Sequence, residues 1–186
     1  MARDTRTRMV HGAARMVGTR GAGRTSLREL AKEAGVPLGS TYHHFPGGKQ
    51  QLVEEAVRTI GAHITRIIES GRERGAGAAL DVLSQEWRAV LESTEFRTGC
   101  AVLAVATEDD EALAGVATEV FASWESGLES VLADAGVASE RAPRLARTLI
   151  AAVEGAVALC RAERSIAPLD DVMTELHLLL ATALDR

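Results

Sequence analysis

The groups with most chemistry to offer in this 186-residue chain crowd into seven consecutive positions, Leu38-Gly39-Ser40-Thr41-Tyr42-His43-His44. Their hydroxyls and imidazoles can reach base edges or phosphate oxygens, and Gly39 has no side chain to hold the backbone away from a duplex. His43 and His44 as neighbours suggest a metal, but adjacent helical residues point about 100° apart and cannot readily chelate one ion. No metal is expected, and phosphate contact is favoured. Arg3, Arg6, Arg8, Arg15, Arg20, Arg24 and Arg28 gather before position 49 with one lysine, Lys32. Residues 1–50 carry 9 Lys+Arg and 3 Asp+Glu, a net of +6; the remaining 12 and 23 give −11, and together they make the overall −5. Screening limits each charge to about 10 Å at 0.1 M salt, so local charge decides whether a surface attracts phosphate. A basic head on an acidic body can bind double-stranded DNA although the whole chain is anionic.

Elsewhere reactive groups are sparse. The five His are scattered and no nucleophile stands with a base and an orienting group, so no catalytic residue is assigned. Cys100 and Cys160 lie far apart outside any Cys-x-x-Cys pairing, which suggests neither a disulfide nor a thiolate zinc site. No cofactor is expected; an all-helical enzyme or a redox sensor using Cys100 stands as the alternative reading. Apolar residues make up 46% and charged residues 25%, the balance of a folded domain. No apolar stretch approaches the roughly 18 residues of a membrane span, and Met1 to Arg8 lacks the apolar segment of a signal peptide. The expectation is a cytoplasmic protein with no membrane partner.

The elements that must position these residues read as all-α, about nine helices. Met9, Ala13, Met16 and Val17 line a first helix that stops at Gly21-Ala22-Gly23. Ser26 and Glu29 form a Ser-x-x-Glu capping box, followed by Leu27, Leu30, Ala31 and Ala34 at helical spacing. Gly35 and Pro37 end that helix, and a short third one runs to about Phe45. Two short helices joined by Gly35-Val36-Pro37 give the helix-turn-helix pattern, whose later helix enters the major groove. A long helix over roughly 49–73 carries Leu52, Val53, Ala56, Val57, Ile60, Ile64 and Ile67, and residues 71–77 are expected to turn. Further helices are predicted around 80–91, 100–106, 111–136, 141–163 and 169–184. The domain expectation is a three-helix DNA-binding head at 1–48 and a ligand-binding and dimerisation domain at 49–186.

Thr25-Ser26-Leu27-Arg28-Glu29-Leu30-Ala31, then Ala34-Gly35-Val36, then Gly39-Ser40-Thr41-Tyr42-His43-His44-Phe45 and Lys49 resemble the tetracycline-repressor (TetR) family over about the first 55 residues. Gly47-Gly48-Lys49 and Gly99-Cys100-Ala101-Val102 are similar to the branch that includes the lincomycin-resistance repressors. The resemblance implies that Ser26 and Arg28 touch phosphate or a base edge. It implies also that Leu38, Gly39 and Ser40 face the groove, and that Tyr42, His43, His44 and Lys49 hold the DNA backbone. Thr41 departs from the family pattern, in which a larger apolar side chain packs beneath the reading helix. Phe45 reads as core, and Tyr42 as a ring in the core with its hydroxyl outward.

One head buries too little for tight specific binding, so a homodimer should place two heads about 34–36 Å apart on a palindromic operator. Small residues on one late helix, among them Ala152, Gly155 and Ala156, and Leu176, Leu179 and Leu180 on the last, permit close helix approach. The resemblance implies that these helices pair with their copies as a four-helix bundle. Trp87, Phe121 and Trp124, with Cys100, are candidates for the wall of a pocket for a small apolar effector; plain core is the equal alternative. Glu154 is expected at the surface or the dimer interface, and residues 108–111 read as a solvated acidic loop. The function expected is a repressor released by its effector, with residues 49–72 as the lever.

Overall fold

The structure, a computed structural model, describes residues 2–184, with side chains from Thr5 onward. The side chain of Arg3 lies outside them. Among the described residues there are nine α-helices and no strand: α1 (Ala2–Arg20), α2 (Leu27–Glu33), α3 (Leu38–His44), α4 (Gly48–Arg74), α5 (Ala76–Ser93), α6 (Ala101–Ala106), α7 (Glu111–Asp134), α8 (Ala142–Glu163) and α9 (Ala167–Leu184). The chain divides into two compact units. The first takes residues up to Gly61 together with Thr98–Val120, and the second takes Ala62–Arg97 and the residues from Phe121 onward. Among these described residues no helix is long and apolar enough to cross a membrane.

In the first unit α1 packs against α2 and α6, and α2 packs against α3. Met9, Ala13, Leu30, Phe45, Leu52 and Ala56 form its core, drawn from three helices and the residue that ends α3. The capping box forms as the spacing predicts: Ser26 Oγ accepts the Glu29 N–H at 3.3 Å, and Glu29 Oε2 accepts the Ser26 N–H at 3.0 Å. Two backbone donors that a helix start leaves open are thereby satisfied. The far end of α2 closes in a Schellman arrangement. Val36 N donates to Ala31 O at 2.9 Å and Gly35 N to Lys32 O at 3.1 Å, with Gly35 at φ 64°. Pro37 then caps α3. Both ends of α2 are thus set by local hydrogen bonds, which fixes the angle at which α3 leaves.

The second unit is held by apolar area. Leu80 and Leu91 of α5, Leu132 of α7, Leu145, Leu149 and Val153 of α8, and Leu169, Met173 and Leu176 of α9 belong to one buried cluster. α8 lies against α9, and α5 against both. The turn expected over 71–77 is present but shorter, confined to Gly75 at φ 91°. α4 continues through Gly71 to Arg74, only Gly75 interrupts, and α5 starts at Ala76. Gly71 serves packing instead, since a Cβ there would meet Val131 at 3.0 Å and Ala79 at 3.2 Å. Glu154 is buried, not surface-lying. It shares α8 with the core positions Val153, Ala156 and Val157.

Candidate nucleic-acid interface

Seven residues make barely two turns, so α3 has room for one buried stripe and one exposed stripe. Thr41 and Phe45, four apart, are fully buried. Gly39, Tyr42 and His43, at i, i+3 and i+4, share the exposed side. Tyr42 is 58% exposed, which corrects the expectation that its ring sits in the core. Phe45 already fills that space, and Tyr42 lies about 100° round the helix from Thr41. Leu38, Ser40 and His44 are half-buried at the edges of the stripe. The His43 and His44 rings meet edge to face with centroids 5.3 Å apart. Among the described residues no group of three or more His, Cys, Asp or Glu could hold a metal.

Thr41, where the family pattern has a bulkier apolar group, is buried with a hydroxyl oxygen that has no hydrogen-bond partner. The helical bond from the Phe45 N–H to Thr41 O is made at 2.8 Å, and the departure leaves an orphan polar atom.

The remaining predicted contacts fall around α2 and the start of α4. Ser26 is exposed, but its hydroxyl is engaged in the capping box and also donates to Glu29 Oε2 at 2.7 Å. These two bonds from Ser26, first the hydroxyl and then the backbone, hold the Glu29 carboxyl below the usual carboxylate range. Arg28 is exposed on the same helix. Lys49, half-buried in the first turn of α4, donates from Nζ to Ala22 O at 3.1 Å. Not all the arginines are available for DNA. Arg6 pairs with Glu55 and lies over the Phe45 ring, Arg15 pairs with Glu33 at 2.7 Å and Arg20 with Glu29 at 3.1 Å. Arg24 and Arg28 are left exposed beside the turn and on α2.

The other predicted residues are divided between the units. Cys100 is buried in the first, where its Sγ accepts the Leu103 N–H at 3.5 Å and caps α6. Trp87, Phe121 and Trp124 belong to the second. Phe121 and Trp124 stack edge to face at 5.3 Å, and Trp87 packs half-buried against the apolar cluster. Of the residues expected at a dimer interface, Ala156, Leu176 and Leu180 lie within the core of the second unit, Ala152 and Leu179 are half-buried, and Gly155 is exposed. Leu159 and Leu178, which the spacing did not single out, are the large apolar side chains most exposed on α8 and α9, at 50% and 58%.

Residues 10–56 match the family described as "Bacterial regulatory proteins, tetR family", and residues 76–175 match "Transcriptional regulator LmrA/YxaF-like, C-terminal domain". An uncharacterized HTH-type transcriptional regulator of Mycobacterium tuberculosis is 39% identical over 191 residues, covering 97% of each chain. The HTH-type transcriptional regulator LmrA of Bacillus subtilis is 30% identical, over 89% of this chain and 91% of its own. The crystal structure of a TetR-family regulator from Agrobacterium tumefaciens shares the fold, with a TM-score of 0.80 at 20% identity over 98% and 99% of the two chains. With a helix-turn-helix whose α3 exposes hydrogen-bonding groups, and both segments matched, the chain belongs to the TetR family of DNA-binding transcriptional regulators, in its LmrA/YxaF-like branch.

Proposed function

We propose that the chain is a repressor that binds a palindromic DNA operator as a homodimer and is released by a small apolar effector. The observation that carries this reading is the exposed stripe Gly39, Tyr42 and His43 on a helix whose opposite face is fully buried. Such a face has no role in the fold and carries the donors a groove requires. Leu38 and Ser40 flank it toward the bases, while Tyr42, His43, His44, Lys49, Ser26 and Arg28 hold phosphates. Residues 1–48 act as the reading head and 49–186 as the sensing and pairing body.

Pairing uses the outward side of α8 and α9. Ala151, Gly155, Ala158 and Leu159 recur there at helical spacing, with Leu178 on α9; Ala152 and Leu179 border this face, and Ala156, Leu176 and Leu180 support it from beneath. An effector held within the second unit near Phe121, Trp124 and Trp87 releases DNA by favouring a tilt of α4 that misfits the operator, since a ligand shifts an equilibrium only by its differential affinity for the two states.

The test is titration of a duplex from the chain's own upstream region at several salt concentrations. Log affinity should fall with log salt by about 0.9 per phosphate neutralised, and Tyr42→Ala with His44→Ala should weaken binding. A salt-independent affinity, unchanged by both substitutions, refutes the reading.

A further inference from the structure

The turn that launches α2 is clamped by a residue from outside the helix-turn-helix segment. Glu108, just beyond α6 and within the same compact unit, reaches back across 85 residues or more of chain. Its Oε1 accepts the Ala22 N–H at 2.6 Å and its Oε2 the Gly23 N–H at 2.8 Å. Lys49 holds the carbonyl of the same Ala22, donating from Nζ at 3.1 Å. That carbonyl also accepts the Thr25 N–H at 3.1 Å, closing a four-residue turn, and the Thr25 hydroxyl donates to Gly21 O at 2.7 Å. Ser26, the cap of α2, comes next. Gly21 stands at φ 84°, and a Cβ there would run into the Glu108 carboxylate. Only glycine both adopts that conformation without strain and leaves the carboxylate its place.

Two successive N–H groups on one carboxylate are charge-assisted bonds, roughly twice as strong as neutral ones. They fix the backbone from which Arg24, Ser26 and Arg28 project. We infer that Glu108 is a positioning residue for operator recognition: it touches no DNA, and it sets the register of α2 by holding the Ala22-Gly23 turn. The inference rests on the DNA-binding reading above. A role through charge alone has the opposite sign. Glu108, Asp109 and Asp110 line a cleft of about 550 Å³ together with Arg20, Arg24 and Lys49. Removing an anion there strengthens the pull on phosphate.

The experiment compares Glu108→Gln with Asp109→Asn in the full chain, on an upstream duplex that the unsubstituted protein binds and on a random duplex. Gln keeps the volume but turns one acceptor into a donor, so one N–H loses its partner. Operator affinity should fall about ten-fold, while random-duplex affinity holds or rises. Asp109→Asn removes the same charge and should leave operator affinity equal or slightly higher. Equal behaviour of the two variants overturns the inference, as does a parallel loss on both duplexes. Amide exchange in the unsubstituted protein decides the matter if Glu108→Gln fails to fold: Ala22 and Gly23 must be protected, and exchange at the rate of an unstructured chain refutes the clamp. Failure of the unsubstituted protein to bind any upstream duplex sinks the DNA reading itself.

Discussion

The exposed sides of α3 and of α8 were built from opposite materials. α3 turns outward a phenol and an imidazole on seven residues; α8, three times as long, exposes only alanine, glycine and one leucine from Ala151 to Ala162, with Arg144, Arg147, Thr148 and Glu163 exposed nearer its ends. Hydrogen-bonding groups are discriminating, because each needs a partner at a defined place. Apolar area is interchangeable, and two leucines on one helix can lie on opposite sides of a core without any mark in their identity. The first kind of surface can read a sequence, and the second can hold a partner tightly with little chemical specificity.

Within α3 the contrast breaks most forcefully at Phe45 and Tyr42, three residues apart. Phe45→Ala empties a fully buried site and should lower stability by about 3–5 kcal/mol, seen in thermal or urea denaturation. Tyr42→Ala should leave the denaturation midpoint within error and weaken operator binding about ten-fold. A large loss of stability at Tyr42 would undo the division into two stripes.

A parallel pair sharpens the picture on α9. Leu176, 4% exposed, and Leu178, 58% exposed, are two positions apart. Leu176→Ala should remove about 2–5 kcal/mol. Leu178→Ala should change the folding of the single chain by no more than about 0.5 kcal/mol while raising the dimer dissociation constant in sedimentation equilibrium. If both variants lose the same folding stability and the dimer is intact, the outward side of α9 is not the pairing surface.

Smaller effects come from polar atoms in the first unit. Thr41→Val removes a buried hydroxyl that lacks a partner and should raise stability by about 1 kcal/mol in denaturant titration. The least effect is expected from Glu29. Its folded carboxyl is held below its ordinary range by the Ser26 bonds, so its contribution is present above the unfolded value and fades as pH falls through the folded one. Acid titration of stability should show a slightly steeper loss for the unsubstituted chain than for Glu29→Gln.

Much of the reading head was legible because its signals are local. Ser26 and Glu29 sit three apart, Gly35 closes the helix they open, and the bonds they imply are those found. The resemblance over the first 55 residues agreed with these signals. What stayed hidden depends on distance or on direction. Glu108 read as a solvated acid because its partners lie more than 80 residues away. Gly71 read as a turn because a glycine that admits a neighbour looks the same in sequence as one that breaks a helix. The spacing does not tell that Leu176 and Leu180 are buried in the second unit while Leu159 and Leu178 are exposed, since helices with leucines all round do not declare their inward side. Tyr42 reads as a ring in the core because its size invites burial, but Phe45 holds that position and Tyr42 is exposed.

Lys49 illustrates how a helix start can be prepared for an anion before one arrives. Its ammonium uses one of three N–H groups on the Ala22 carbonyl, so the long side chain is already anchored at its tip. A phosphate meeting the remaining two would immobilise few further rotamers, which lowers the entropic penalty of contact. Arginine at that position would bring a planar fork in place of a compact tripod and could not serve the carbonyl and an anion with the same geometry.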